Sequence, residues 1–268
     1  MSRSPSALFQ PFPMRSGMRA QAWRHQPAYR RPRHFHAEPE VNLVVRGSAT
    51  LGVGAKVFAL GSGELVLLQP GQDHELLEAS PDLELFVFAL RPELAARLGD
   101  VSRRAAGSAG QLFPEELARV SEELFAIGSV ADATAVESSI VGLFQRIEPR
   151  LGRQHVLSRR AALELQADPS VSEAELATRL NATPSDVSRR FHGDIGVRLV
   201  EYRARLRLMR FVRLVDAGQS FSEAALNAEF GSYAQCHRIF QRVFRCSPRR
   251  YFAGARRELD DKLEPRES

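Results

Sequence analysis

The chain has 268 residues, 44% of them hydrophobic, and a formal net charge of +5 at pH 7. This length supports one or two compact domains and excludes a large multidomain assembly. The longest uninterrupted apolar run, residues 85–90, is too short to cross a membrane, and no secretory signal is recognisable. Two cysteines, Cys236 and Cys246, exclude a disulfide framework. We therefore expect a cytoplasmic protein with no membrane partner.

The charge is unevenly distributed along the chain. Residues 1–150 carry 16 basic and 17 acidic side chains, whereas residues 151–268 carry 21 basic and 15 acidic ones. The basic half is the candidate binder of a polyanion such as nucleic acid. Arginine accounts for 35 of the 37 basic residues, which suits bidentate contacts with phosphate and guanine, although genomic base composition produces the same bias.

The first half of the chain has the pattern of short β-strands. Apolar runs at residues 41–45, 64–68 and 83–90 are separated by glycines and by the Pro70-Gly71 pair. This pattern predicts a small antiparallel barrel or sandwich. The small and polar segment 103–111 is predicted to be a linker.

Two amphipathic helices are predicted after this linker. Pro114 suits the first turn of a helix that ends at Ile127, and Asp132 can cap a second helix that ends at about residue 150. Each helix has an apolar stripe, which we expect to pair between protomers and give a homodimer; the alternative is that both stripes pack on the protein's own barrel. The stripes consist of Leu117, Val120, Leu124 and Ile127, and of Val136, Ile140, Leu143, Phe144 and Ile147.

The basic half contains one pattern twice. The sequences Ser-Glu-Ala-Glu at 172–175 and Ser-Phe-Ser-Glu at 220–223 lie 48 residues apart, and each predicts a capping box at a helix N-terminus. A break follows each short helix, at Asn181 in the first copy and at 230–232 in the second, and another helix follows each break. Each copy therefore predicts a helix-turn-helix, and the duplication is much stronger evidence than a single copy.

The second helix of each unit has a polar face that contains arginine. A helical stripe at 197–215 predicts a linker helix between the two units. The spacing places each polar set on one side of its helix, as a helix lying in a DNA major groove requires; the alternative is the solvated face of an ordinary helical bundle. The predicted DNA-reading residues are Ser185, Ser188 and Arg189 in the first unit, and Tyr233, His237 and Arg238 in the second.

Residues from about 156 to 252 resemble the AraC/XylS family of bacterial transcription regulators. The resemblance rests on Ser172, Glu175, Leu176, Ala177, Arg189, Phe191, Gly196, Tyr202, Arg207, Leu208, Phe230, Arg238, Phe240, Phe244, Ser247, Pro248 and Tyr251. It implies two helix-turn-helix units that place their second helices in successive major grooves, and RNA polymerase as a partner. Glu229 and Arg245 stand where the family usually has glycine, and Phe211 replaces a small residue, so the second unit departs further from the family pattern.

One group of residues in the first half has metal-ligand chemistry. His34, His36 and Glu40 share one face of a regular strand, and a neighbouring strand could bring His74 to them. The spacing resembles the two motifs of cupin barrels, and among AraC-like regulators that resemblance implies histidines kept without a metal. We predict that these four side chains line a pocket for a small-molecule effector, with no metal and no cofactor. A bound divalent metal is the alternative, and a response that changes with pH near about 6.5 is expected from the histidines.

These patterns together predict an α+β chain of two domains. The predicted organisation is a cupin-like sensing domain at 1–105, a linker with dimerisation helices at 106–152, an all-α double helix-turn-helix domain at 153–255 and a polar tail at 256–268. The predicted function is a sequence-specific transcription regulator that binds double-stranded DNA and is not an enzyme. The competing hypothesis is a metal-dependent cupin enzyme, such as a dioxygenase or an isomerase, with a helical appendage.

Overall fold

The computed structural model describes residues 8–25, 32–95, 109–130, 132–152 and 156–255. The N-terminal half of these residues is rich in strands and the C-terminal half is helical. The predicted polar tail at 256–268 and residues 103–108 of the predicted linker lie outside the described residues. Across the described ranges, no helix has both the length and the apolar character needed to cross a membrane.

Within the described ranges, the strands form two five-stranded sheets. In chain order they are β1 (Leu8–Phe9), β2 (Ala20–Arg24), β3 (His34–Phe35), β4 (Glu40–Arg46), β5 (Ala49–Val53), β6 (Lys56–Leu60), β7 (Glu64–Leu68), β8 (His74–Ala79), β9 (Glu84–Leu90) and β10 (Ala109–Gln111). One sheet has the order β1-β3-β8-β5-β6 and the other has the order β10-β7-β4-β9-β2. Val44, Leu51 and Leu85 belong to a buried cluster built from strands of both sheets. The predicted antiparallel sandwich is confirmed.

The two predicted helices follow the sheets. After the short α1 (Pro92–Ala95), α2 (Pro114–Ile127) and α3 (Ala133–Ile147) form, with a 3-10 turn at Glu148–Arg150. Asp132 caps α3 as predicted, because its side chain accepts a hydrogen bond from the backbone N–H of Thr134 at 3.0 Å.

The expected pairing of the two apolar stripes between protomers is wrong. Both stripes pack against Phe86 and Phe88 on the face of the second sheet that points away from the first. Val120, Ile140 and Leu143 are at most 3% exposed in the single chain. The apolar stripes are already buried against this sheet face within one protomer, and that burial stabilises the single chain. These side chains are therefore not available to a second copy.

The end of the predicted linker is also different from the prediction. Residues Ala109–Gln111 form β10, in which Gly110 lies opposite Leu65 of β7. A strand at the edge of a sheet can form without an apolar sequence pattern, because backbone hydrogen bonds attach it to its neighbour.

The C-terminal half is an array of helices. They are α4 (Val156–Ala167), α5 (Glu173–Arg179), α6 (Pro184–Ile195), α7 (Leu199–Asp216), α8 (Phe221–Asn227), α9 (Tyr233–Phe244) and α10 (Pro248–Arg250), followed by a π-helical turn at Tyr251–Ala255. Helices α5 and α6 form the first helix-turn-helix unit, and α8 and α9 form the second. The linker helix α7 buries Tyr202, Leu208 and Phe211 between them, as the apolar stripe predicts.

The predicted capping boxes are confirmed in the second unit and half confirmed in the first. Ser220 accepts from the backbone N–H of Glu223 at 3.3 Å, and the Glu223 carboxylate accepts from the backbone N–H of Ser220 at 3.1 Å. Ser172 likewise accepts from the backbone N–H of Glu175 at 3.1 Å. The Glu175 carboxylate, however, pairs with Arg179 one turn further along, at 2.7 Å, instead of reaching back to Ser172.

The two halves of the molecule share a hydrophobic core. Phe9 and Phe35 of the strand-rich half belong to the same buried cluster as Phe191 and Phe240 of the helical half. The ring of Phe9 lies 5.2 Å from the ring of Phe244 in α9. The β1–β3 edge of the first sheet therefore packs against the helical half.

Candidate functional sites

The structure brings together the four predicted pocket residues. His34 on β3 lies opposite His74 on β8, and their ring centroids are 4.3 Å apart. The ring of His36 lies 5.1 Å from that of His74. The carboxylate of Glu40, at the start of β4, places one oxygen 3.0 Å from His36 Nε2 and the other 3.5 Å from His74 Nε2. We call His34, His36, Glu40 and His74 the histidine cluster.

The histidine cluster is buried. Its four side chains belong to residues that are 2–5% exposed. The ring of Phe12, from the segment after β1, packs edge-on against His36 at 5.2 Å and against Trp23 at 4.3 Å. The N-terminal segment therefore covers the cluster on the side of His36.

Hydrogen bonds fix how each imidazole is protonated. Nδ1 of His34, His36 and His74 lies 2.8, 2.9 and 3.2 Å, respectively, from a backbone carbonyl oxygen two residues away in the chain. Because a carbonyl oxygen can only accept, each Nδ1 carries the proton and donates. The Nε2 atoms of His36 and His74 face the Glu40 carboxylate, at 3.0 and 3.5 Å.

The charges of Glu40 and His74 follow from their surroundings. Burial alone would raise the pKa of Glu40, but His74, His36 and a hydrogen bond from Asn42 lower it to about 2, so Glu40 is a carboxylate. Burial lowers the pKa of His74 to about 4, so its imidazole is neutral at physiological pH. Burial therefore moves the titration of His74 below the expected 6.5, and the pH response of the protein stays a prediction.

This arrangement fits a divalent transition-metal cation. One ligand atom from each of the three histidines lies within 4.8 Å of the others. A ring nitrogen of each donates to a carbonyl, which is how proteins orient imidazoles whose other nitrogen binds a metal. Three imidazoles and a carboxylate are ligands that suit zinc, nickel, iron or copper.

The predicted DNA-reading residues of the first unit lie on the accessible side of α6. Ser185 is exposed, Ser188 is half-buried, and the Arg189 side chain is 69% exposed. The Arg189 guanidinium donates a hydrogen bond to the Asp186 carboxylate. Asp186 also accepts from the Thr183 hydroxyl at 2.8 Å. The arginine is thus available at the surface and held toward the N-terminal turn of its helix.

The corresponding residues of the second unit are arranged differently. Arg238 on α9 is exposed, whereas Tyr233 and His237 are half-buried. The Tyr233 ring stacks on Phe221 at 6.1 Å and contacts the edge of the His237 ring at 5.8 Å. Only part of each ring is therefore open to solvent, and Arg238 is the most accessible of the three.

Sequence reasoning missed the residues that join the two halves. Gln72 donates from Nε2 to the carbonyl of Ile195 at 2.7 Å, and the backbone N–H of Ala55 donates to the carbonyl of Gly196 at 2.8 Å. Arg205 of α7 pairs with Asp73 at 2.6 Å, and both side chains are buried. One signal was present in the sequence: Arg205 follows Tyr202 by three residues and precedes Met209 by four, so it interrupts the apolar stripe of the linker helix.

Two family models match the chain. Residues 17–142 match an AraC-like ligand binding domain, and residues 176–254 match a helix-turn-helix domain. This chain belongs to the AraC family of transcription regulators. The predicted function, an AraC-type DNA-binding regulator with an N-terminal ligand-binding domain, is confirmed.

Several solved structures are similar to this AraC-family chain. ToxT from Vibrio cholerae O395 is 14% identical, with 87% of this chain and 96% of that chain covered and a TM-score of 0.47. Wild-type ToxT from Vibrio cholerae strain SCE256 with a bound unsaturated fatty acid is 14% identical, with 87% and 93% covered and a TM-score of 0.46. The AraC-like transcriptional activator CuxR is 16% identical, with 72% and 71% covered and a TM-score of 0.33. At these identities and TM-scores, the neighbours imply nothing about the ligand of this chain. No curated protein matches the sequence.

Proposed function

We propose that this protein is a cytoplasmic transcription regulator whose affinity for its DNA sites is set by a ligand bound at the histidine cluster. The observation that carries the proposal is the placement of contacts on the two reading helices, α6 and α9. Their predicted DNA-reading residues begin at the N-terminal turns, at Ser185 and Tyr233, and include the exposed Arg189 and Arg238. The sensing half touches both helices at their C-terminal ends.

This placement gives each part of the chain a role. The six predicted reading residues contact DNA. The sensing domain at 1–105 binds the effector at the histidine cluster, and residues 106–152 complete the hydrophobic core of the sensing half. The double helix-turn-helix at 153–255 binds DNA and, once bound, presents the protein to RNA polymerase. A change at the sensing half that moves the C-terminal ends of α6 and α9 changes how both helices fit successive grooves.

We also propose that the protein is not an enzyme. Support comes from the burial of the histidine cluster beneath Phe12. A metal-dependent enzyme needs an open coordination position that an organic substrate can reach. A buried site of this kind is better suited to retaining a small bound ligand than to repeatedly binding substrate and releasing product.

The homodimer stays a prediction. Since the stripes of α2 and α3 are buried in the sensing half, a dimer must use another surface. Light scattering of the full-length protein at micromolar concentration measures the mass directly, and a monomeric mass contradicts the prediction.

Selection from a library of random DNA duplexes tests the proposed function. Full-length protein is expected to enrich a sequence with two conserved blocks about one helical turn apart, one for each reading helix. The double variant R189A/R238A is the matched comparison, and the selected sequence should lose most of its advantage over random DNA with it. If the wild-type protein enriches no sequence, with or without divalent metal, the proposed function is wrong.

A further inference from the structure

Three consecutive residues connect the histidine cluster to the DNA-binding domain. His74 belongs to the cluster, Asp73 pairs with Arg205 of the linker helix, and Gln72 binds the carbonyl of Ile195 at the end of the first reading helix. We call residues 72–74 the connecting segment. Any shift of His74 by more than a few tenths of an ångström must be accommodated by these two contacts, because the segment is buried at every residue.

Strand β3 also connects the histidine cluster to the DNA-binding domain. His34 and His36 belong to the histidine cluster, whereas Phe35 between them belongs to the core that includes the helices. Neighbouring residues of an extended chain point to opposite sides, which explains this division. The Arg205 guanidinium lies over the Phe35 ring at 4.8 Å, so Arg205 touches both chain segments that carry the histidines.

Arg205 is held by several partners at once. Its Nη1 donates to the carbonyl of Gly71 at 2.9 Å and to Asp73 at 2.6 Å, and its Nη2 donates to Glu201 at 2.6 Å. The other oxygen of Asp73 pairs with Arg33 at 2.5 Å. Gly71 has a φ of +77° and its N–H donates to the carbonyl of His36 at 2.8 Å. Arg205 is therefore connected to the backbone of His36 through Gly71 and to the backbone of His74 through Asp73.

The surroundings of Glu40 identify the ligand chemistry of the cluster. Its buried carboxylate contacts Asn42 at 2.7 Å, His36 at 3.0 Å and His74 at 3.5 Å, and none of these side chains has a permanent charge. Two other buried carboxylates nearby are paired with arginines, Glu38 with Arg91 at 2.7 Å and Asp73 with Arg205 at 2.6 Å. Buried charges in proteins are paired or bind metal ions. A cation between Glu40 and the Nε2 atoms would be bound by one carboxylate and by imidazoles whose Nδ1 atoms are already bound to backbone carbonyls.

We propose that the histidine cluster binds a divalent transition-metal cation, and that this cation acts on the DNA-binding domain through the connecting segment and Arg205. The proposal rests on the proposed function, since it names the ligand and the route of the regulation described there. His34, His36, His74 and Glu40 hold the cation. Asp73 and Arg205 are positioning residues that carry its effect to the linker helix.

Metal binding is tested first, without DNA. Full-length protein freed of metal with a chelator is titrated with Co²⁺ and with Zn²⁺, and binding is followed by calorimetry and, for Co²⁺, by visible absorption. One cation per chain is expected, with affinity reduced at least about tenfold in E40Q. E137Q is the matched control, because Glu137 on α3 is also buried but pairs with Arg19 at 2.7 Å. It should change the affinity much less. Absence of binding by either metal overturns the proposal.

The route is tested with DNA carrying the selected sequence. In the wild-type protein, saturating Zn²⁺ is expected to change the dissociation constant for DNA by about 5- to 150-fold, the usual range of coupling between two sites. R205M should bind Zn²⁺ like wild type while its DNA response falls below about twofold. R205K, which keeps the charge, should retain part of the response. R203M alters an arginine on the same helix that binds a carbonyl within the helical half, and it should keep the full response.

The outcomes separate the two proposals. Zn²⁺ binding without any change in DNA affinity overturns the transmission, and a full response in R205M overturns the route through Arg205. If R205M does not fold, hydrogen exchange of the wild-type protein decides, because Zn²⁺ must then change protection in residues 69–74 and 199–210. A protein that binds Zn²⁺ but selects no DNA contradicts the proposed function and leaves the metal site standing.

Discussion

The two helix-turn-helix units have matching helices but different residues at the points where the backbone turns. Both reading helices contain 12 residues, and both end at a residue with positive φ, Gly196 in the first unit and Arg245 in the second. The turn inside each unit also has positive φ, at Asn181 (52°) and at Glu229 (65°). Glycine and asparagine adopt this conformation readily, whereas glutamate and arginine adopt it at a cost of about 1 kcal/mol or more.

The second unit thus reaches the same backbone shape with less suitable residues. Phe230, Phe240 and Phe244 are buried around its turn and its reading helix, and they belong to the shared hydrophobic core. Packing of this kind can hold a turn residue in an unfavourable conformation. We therefore expect the departures from the family pattern at Glu229 and Arg245 to lower the stability of the second unit while its backbone keeps the same shape as the first.

The units also differ in how the sensing half holds them. The first unit is held by hydrogen bonds to its backbone, at the carbonyls of Ile195 and Gly196. The second is contacted by the ring of Phe9 against Phe244. Hydrogen bonds fix direction and distance, whereas aromatic contacts tolerate sliding, so a change in the sensing half is imposed more directly on the first unit.

The largest expected effect distinguishes the two units at the DNA. R189A is expected to raise the dissociation constant for the selected DNA roughly 5- to 150-fold, the effect of losing about 1–3 kcal/mol of base or phosphate contact. R238A should have a similar or smaller effect, and both are measured by fluorescence anisotropy at one salt concentration. R119A removes the same charge from an exposed position on α2 and is the control. A loss seen with R238A alone would reverse the ranking of the units.

An effect of similar size, on stability instead of DNA binding, tests how tightly the first unit is held. Gly54 has a φ of +56°, and a Cβ added there would lie 2.6 Å from the carbonyl oxygen of Gly196. G54A is expected to lower the free energy of unfolding by about 1–3 kcal/mol more than G17A, because overpacking adds to backbone strain. Gly17 is the matched control, since its φ is +82° and no atom lies within 4 Å of the added Cβ. Equal losses in denaturant melts would show that the close approach is unimportant.

The smallest expected effect tests the strain in the second unit. E229G and R245G should each raise the free energy of unfolding by about 0.5–1 kcal/mol, because glycine relieves the positive φ at some entropic cost. N181G in the first unit should change it by only a few tenths, since asparagine already accepts this conformation. Thermal melts of the three variants give the comparison. A destabilising E229G would mean that the Glu229 side chain contributes more than its backbone costs.

Local signals predicted the helices well. Pro114, Asp132, Ser172 and Ser220 each start a helix where expected, because caps and first-turn prolines act through neighbouring residues in the chain. The members of the histidine cluster were predicted correctly, but the expected single regular strand is wrong. His34 lies on β3 and Glu40 begins β4 in the other sheet, so the cluster forms where the two sheets face each other.

Contacts between distant parts of the chain could not be predicted. The parallel pairing of the two-residue strand β1 with β3 has no periodicity to show it, since two residues are too few for a pattern. The apolar stripes of α2 and α3 were visible, but an apolar face does not say whether it is covered by the same chain or by another copy. Arg205 was visible as a charge in an apolar stripe, yet its partner Asp73 lies 132 residues away.

The shared core also sets how freely the halves of this regulator can be exchanged. Phe9 and Phe35 complete a hydrophobic cluster whose other members lie beyond residue 160. A chimaera joined at residue 152, with a foreign sensing domain in front, would leave the Phe244 ring without the aromatic partner that Phe9 provides. Recombination between relatives of this chain should therefore succeed best when the incoming sensing domain brings aromatic residues at both positions with it.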